Sequence, residues 1–405
     1  MNNDHEILRD LAQQVKALSD KAVQEERRML WREHNGLIKC GVPVFANIGG
    51  WDVFGSEVMP GDKLTCKDPL YRSVEFNLRH ALFMDYIDND TVIEPWYTVH
   101  PIYACHGWGI DIKRVQPEGR STYHLEPVIT DIKDVTKLKI PSHAIDENQT
   151  SINIERISDA IGDILPVISS RSPCYTGFTG DISYWLGQFV GFEELLYHVY
   201  DNPELLHELL KFLRDGIQKT YKEAELAGDW TSMASQCQSP CYVKDLPDPT
   251  SDGQSMPMNK IWGYYAAQEY DTISPQMHKE FLLDYQMPLM KQFGLIAYGC
   301  CEDLTNKIDM LREVPNLRRI AVSPFANAEK CAKQIERDYV ISYRPNPAAL
   351  AVSNWNAKEA AALLKYDIDA MKDSIYDICI KDVTTVCNEP HRLKEWISAV
   401  KDLVD

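Results

Sequence analysis

The chain has 405 residues, 44% of them hydrophobic and 25% charged, with a formal net charge of -18. That balance suits a large globular core. With no Lys/Arg-rich run, it excludes nucleic acid and anionic membrane as expected partners.

No apolar run reaches the ~20 residues a bilayer span needs. The start, MNNDHEILRDLAQQVKAL, is polar and amphipathic, without the pattern of a secretory signal. Eleven cysteines lack framework spacing, and an odd number without an export signal reads as reduced thiols. A cytoplasmic protein is the expectation.

In chain order, an N-terminal helical arm (residues 1–35, helical over roughly 3 to 34) precedes a main body of residues 36–405. The stretch WYTVHPIYACHGWG, from Trp96 to Trp108, is dense in aromatics and holds His100 and His106. It can wall a flat pocket, or its histidines are structural. LPVISSRSPCYTGF reads as a buried strand entering a loop. GFTGDISYWLG follows, with Gly177, Gly180 and Gly187 off the spacing of a dinucleotide fingerprint. Asp181 either contacts substrate or caps the next helix. Residues 191–228 form a helical hairpin broken at Asn202-Pro203. Cys237 and Cys241 stand three residues apart near Pro240, a metal clip only if a second pair exists.

IWGYYAAQEYDTISP contains Trp262, a candidate substrate contact with Trp108, and Glu269, a metal ligand, a general base or a solvated loop residue. The helix after it opens on Ser274 and Pro275 and closes at Gly294. Four strand–helix units end the chain: GLIAYG with DLTNKIDMLREV, LRRIAVSPF with NAEKCAKQIER, DYVISYRPNP with AKEAAALLKYDIDAMKDS, and YDICIKD with EPHRLKEWISAVKDLV. Such repetition predicts an α/β protein, and the length favours a (β/α)8 TIM barrel over a doubly wound sheet.

In a barrel, chemistry sits where strands end. Those ends carry Cys300-Cys301-Glu302, Ser323-Pro324, Arg344-Pro345-Asn346-Pro347 and Lys381-Asp382. Neighbouring strand residues face opposite ways, so at most one of the two cysteines faces the mouth if the strand continues. A thiolate there suits zinc with carboxylate partners. The alternative is a core cysteine. A nucleophilic cysteine lacks a histidine at a clear strand end to activate it.

These residues resemble the uroporphyrinogen decarboxylase superfamily, in the branch grouped with corrinoid-dependent methyltransferases. The likeness is carried by YTGFTGDISYWLGQFVGFEELLYHVYDNPELLHELL, QEYDTISPQMHKEF, YGCCEDL, PNLRRIAVSPFANAEK, YRPNPA and IKDVTTVCNEPHRLKEW, over roughly residues 160 to 405. It implies a (β/α)8 barrel and zinc-assisted methyl transfer. Cys300 falls on the cysteine of the family's H-x-C pair, with Tyr298 in place of the histidine. Thr384 stands where close relatives carry another histidine, with Asp382 and Cys387 nearby. The arginine-rich N-terminal signature that grips a porphyrinogen's carboxylates is missing from VFANIGGWDVFG.

The expected function is therefore a methyltransferase between a small methylated compound, a methyl ether before a methylamine or thiol, and the cobalt of a separate corrinoid protein. Cobalamin is carried by that partner. Cys300 and Glu269 are the expected zinc ligands, with Cys301, Glu302 and Asp382 in reserve. Arg344 and Asn346 are expected to orient substrate, with Tyr298 as proton donor and Asp181 and Glu302 in supporting catalytic roles. A homodimer is a further expectation. The rival readings are a metal-free ligand-binding barrel and a decarboxylase of a small acid.

Overall fold

Eight short strands pair in parallel in the computed structural model, which describes residues 3–105, 107–115, 124–236 and 238–404. They are β1 (Val44–Asn47), β2 (Tyr97–Val99), β3 (Val167–Ser169), β4 (Trp262–Tyr265), β5 (Leu295–Tyr298), β6 (Leu317–Val322), β7 (Val340–Tyr343) and β8 (Ile375–Lys381). Six of them make one sheet in the order β1-β8-β7-β6-β5-β4, and β2 pairs with β3 separately. The sheet is curled like part of a barrel but does not close. The expected eight-stranded closed barrel is thus met only in part. β4 to β8 stand in sequence order, as the four strand–helix units require, while among the described residues no ladder joins β1 to β2 or β3 to β4.

The strands are short apolar runs because both faces are covered. On β8 every residue is buried. Tyr376, Ile378 and Ile380 join the large cluster that packs against the helices, while Cys379 joins a smaller cluster on the other face with Trp31, Phe45 and Tyr242. The same alternation puts Ile296 and Tyr298 of β5 against the helices, and Leu295, Ala297 and Cys300 on the inner face with Trp262 and Tyr264.

Cys241 and Val243 pack on that inner face. Trp262 Nε1 donates to the Cys241 carbonyl at 2.9 Å, and Asn35 Nδ2 donates to the carbonyls of Pro240 and Tyr242 at 3.1 and 2.9 Å. The N-terminal arm is therefore built into the body. Helix α1 (Asn3–Ser19) packs on α3 (Pro69–Tyr86) and α4 (Glu147–Ile161). The end of α2 (Ala22–Asn35) enters a buried polar network, where Arg319 meets Asp377 at 2.6 Å and Asn35 at 2.7 Å, and His34 meets Asp377 at 2.9 Å.

The helical hairpin breaks where expected, into α6 (Phe192–Asp201) and α7 (Pro203–Ala227), after α5 (Ile182–Val190). The expected helix after β5 shrinks to Ile308–Leu311. Asp303 accepts from Thr305 N at 2.8 Å, and Lys307 Nζ donates to the Tyr270 carbonyl at 2.6 Å, so local polar groups compete with helical bonding. Among the described residues no helix is long and apolar enough to cross a membrane.

Candidate functional site

The C-terminal ends of β5, β7 and β8 bring a sulfur pair against two cations. After Tyr298 the chain turns at Gly299 (φ +102), where a Cβ would lie 2.9 Å from the Ala321 Cβ. That tight turn carries Cys300 onto the inner face, buried, with Cys301 half-buried beside it and the two sulfurs 3.5 Å apart. Lys381 Nζ, from the end of β8, lies 3.5 Å from Cys300 Sγ, 3.2 Å from Cys301 Sγ and 2.5 Å from Asp382 Oδ2. Arg344 Nη1, from the end of β7, donates to the Cys300 carbonyl at 2.6 Å, and its buried Nε has no partner. Gln238 Nε2 donates to Cys300 Sγ at 3.4 Å.

The electrostatics follow from this packing. Donation from Cys301, with Arg344, Lys381 and Gln238 close by, holds the Cys300 thiol well below its usual range despite burial. Cys301 is pushed up in turn by its bond to Cys300 and by burial, so of the two sulfurs Cys300 is the one favoured as thiolate. Burial opposes the charge of Lys381, but the neighbouring sulfurs raise its pKa and keep it cationic.

Glu302 sits directly behind the pair. It takes Ala267 N at 2.8 Å on one carboxyl oxygen and Cys300 N at 2.9 Å on the other, so both are engaged and it shapes the loop. Asp271 accepts from Asp303 N at 2.5 Å and ties the same loop to the one after β4.

Glu269 stands on the α5 side of the site. It packs so closely on Gly187 that a Cβ there would lie 2.8 Å from Glu269 Cγ, and its Oε2 is buried without a partner. Burial, reinforced by the charges of Glu302 and Cys300, pushes its pKa up to about 7. Asp181 caps α5, accepting from Ser183 N at 3.4 Å, from the Ser183 hydroxyl at 2.6 Å and from Gln286 Nε2 at 2.6 Å. Burial, with the charge of Glu269, raises it well above the carboxylate range. Helix capping is the part of the Asp181 expectation that its contacts display.

Several expected residues stand elsewhere. Tyr298 faces the helices, donating to Gln286 Oε1 at 2.9 Å and sharing a 2.9 Å bond with His278, so its role as proton donor at the mouth has no geometric basis. Trp108 is core, 1% exposed and ringed by Tyr175, Trp185, Phe189 and Phe212. Trp262 is buried, bonded to the Cys241 carbonyl and packed in the same apolar cluster as Cys300. Asn346 caps the turn Pro347–Leu350, accepting from Ala348 N at 2.9 Å, and lines a cavity of about 430 Å³ with Ser323 and Tyr343. His100 and Trp96 line another cavity, of about 220 Å³, with Ser169 and Met233. His106 and Cys237 lie outside the described residues.

The zinc implied by the family likeness does not fit these groups. Among the described residues no three His, Cys, Asp or Glu side chains are arranged to hold one ion. The position facing both sulfurs and Asp382 is taken by the Lys381 ammonium. Glu302 is spent on backbone donors.

Sequence reasoning placed Lys381 at a strand end without giving it a role, and passed over Gln238, Tyr264 and Asp52. Lys381 was legible as a lysine ending an apolar strand. Tyr264 alternates with Trp262 on the inner face of β4. Asp52 follows β1; its Oδ2 is buried and unpartnered, and burial, with the charge of Asp382, pushes it up to about 6. Asp382 itself has φ +56, in a loop whose Cys387 and Asn388 are also left-handed. Glu57 holds that loop through Val386 N at 3.1 Å, Asn388 N at 2.8 Å and the Thr385 hydroxyl. Strain retained by such clamps marks functional loops.

No family model matches the chain, and no curated protein sequence does. Among solved structures the fold is similar to that of a methyltransferase from Methanosarcina mazei, with a TM-score of 0.51 and 10% sequence identity over 93% of this chain and 98% of that one. At that identity the similarity is one of fold.

Proposed function

We propose that this chain is a methyltransferase that moves a methyl group between a small methylated compound, a methyl ether first, and the cobalt of a separate corrinoid protein. The observation that carries the reading is the Cys300 and Cys301 sulfur pair at the strand ends, with Lys381 Nζ within 3.5 Å of both sulfurs and Arg344 on the Cys300 carbonyl. Methyl transfer needs a soft, localised electron pair and a proton for the departing heteroatom. The sulfur pair supplies the first, and Glu269, half-protonated near neutrality, supplies the second. The similarity in fold to a methyltransferase and the family motifs agree with this reading.

No step is routed through zinc, because Lys381 occupies the place a cation would take. Arg344, with its free Nε, suits an oxygen acceptor on the substrate. The cobalamin belongs to the partner.

The test is a cobalt-methylation assay. Purified protein, reduced cobalamin and a panel of methyl ethers, methylamines and methyl thioethers are followed by the methyl–cobalt absorption spectrum. Protein-dependent methyl–cobalt formation with one donor class supports the proposal. Turnover of none of them, with release of carbon dioxide from a small acid instead, would replace it with the decarboxylase reading.

A further inference from the structure

We infer that Cys300 is an alkyl-accepting nucleophile whose counter-charge is the Lys381 ammonium rather than a metal ion, an inference that rests on the methyl-transfer reading above. Lys381 Nζ stands within 3.5 Å of both sulfurs, in a position a bound cation would need, and Asp382 Oδ2 at 2.5 Å fixes it there. Cys301 completes the arrangement as a thiol 3.5 Å away, able to leave its neighbour as the anion. No histidine is required for activation, because the base of a cysteine–histidine pair is replaced by fixed positive charge.

The surroundings also point to a ligand. Arg344, 2% exposed, keeps its Nε free, and Gln238, whose amide nitrogen donates to Cys300 Sγ, keeps its Oε1 free. Buried polar groups are normally satisfied, so two orphans on side chains that touch Cys300 mark a place where a small polar molecule completes the bonding. The Arg344 Nε is a donor, which suits a methylated compound carrying an acceptor oxygen.

The step balances without a metal. The sulfur's electron pair forms the S–CH3 bond while the methyl–heteroatom bond breaks. The heteroatom leaves with that bond's pair and takes the proton of Glu269, which is restored from water. In the return step the electron pair of the partner's reduced cobalt forms the Co–CH3 bond. The S–CH3 bond then breaks, and its pair returns to sulfur as the thiolate beside Lys381.

The test uses the full chain, dialysed against EDTA, and substoichiometric methyl iodide near neutral pH, with methylated peptides quantified by mass spectrometry. Cys387, an exposed free thiol, is the internal reference. The expected result is methylation of Cys300 about tenfold faster than of Cys387, because thiolate fraction outweighs exposure. Lys381→Met slows the Cys300 rate about tenfold and moves its pH midpoint up, and Lys381→Arg restores part of both. The wild-type comparison stands even if Lys381→Met does not fold.

Cys387 reacting faster than Cys300 overturns the inference. So does about one zinc per chain that survives purification and is lost in Cys300→Ser. Cobalt methylation that persists in Cys300→Ser overturns the covalent step while leaving the methyltransferase reading standing. A reactive Cys300 in a protein that methylates no cobalt leaves the nucleophile and removes the methyltransferase.

Discussion

Glu269 holds a carboxyl where ionisation is disfavoured, and that makes its behaviour with pH specific. Its folded pKa of about 7 stands above the ordinary 4.5, so the folded state binds the proton more tightly than the unfolded state. The stability this contributes is complete below about 4.5 and is lost as pH rises through about 7. Glu269→Gln is therefore expected to flatten the fall of denaturant midpoint across that window, by up to roughly 3 kcal/mol. The residue is only part-buried as a whole, but the orphaned Oε2 is shut from water, which is why the shift counts. Cobalt methylation in the wild type should fall along the same limb as the acid ionises, and the limb should be absent in Glu269→Gln. Glu302 gives a contrasting case: both carboxyl oxygens accept backbone N–H groups. In Glu302→Gln the new amide NH2 faces one of those donors, at a cost of about 1–3 kcal/mol, read as a lower midpoint in urea.

At the scale of elements, two glycines set how closely helices approach their neighbours. Gly187 on α5 leaves room for Glu269, and a Cβ would stand 2.8 Å from its side chain. Gly187→Ala should displace the carboxyl and lower methyl transfer by about tenfold or more, of the order expected for losing a positioned acid. Thermal stability should change little, because the side chain that gives way is flexible. Gly216 on α7 presses on Trp108, whose ring would lie 2.5 Å from an added Cβ. That ring is packed on several sides, so Gly216→Ala should cost about 1–3 kcal/mol, visible as a lower melting temperature. The helices themselves were largely readable: Ser274 caps as expected, accepting from Met277 N at 3.3 Å, and the hairpin breaks at Pro203. The turn after β5 was not readable, because Asp303 and Lys307 look helical in spacing and act as loop anchors only once the neighbouring loop is in place.

Across the whole molecule, the N-terminal arm is tied into the body by buried polar contacts and helix packing. The arm looked separable in the sequence, since amphipathic periodicity says that a helix has a buried face but not what covers it. Its last residues instead complete the network of Arg319 and Asp377. Deleting residues 3–35 should yield a chain without a cooperative melting transition. Arg319→Met, which leaves the Asp377 carboxylate short of its main counter-charge, should destabilise by about 3–5 kcal/mol. A denaturation midpoint equal to that of the wild type in either case would show that the arm is an appendage.

The local pattern by itself determined the parallel strand–helix order from β4 to β8, the caps, the strand ends that carry chemistry and the sulfur pair among them, because period, capping and turn chemistry are short-range properties. The tertiary structure decided which face each of those residues takes. It sent Tyr298 and Trp108 into the helix layer, gave Asn346 to a cap, and brought Lys381, some eighty residues away in sequence, against Cys300 and Cys301. Spacing along the chain carries no information about such pairings; they follow from the curl of the sheet, which gathers the ends of distant strands at one place.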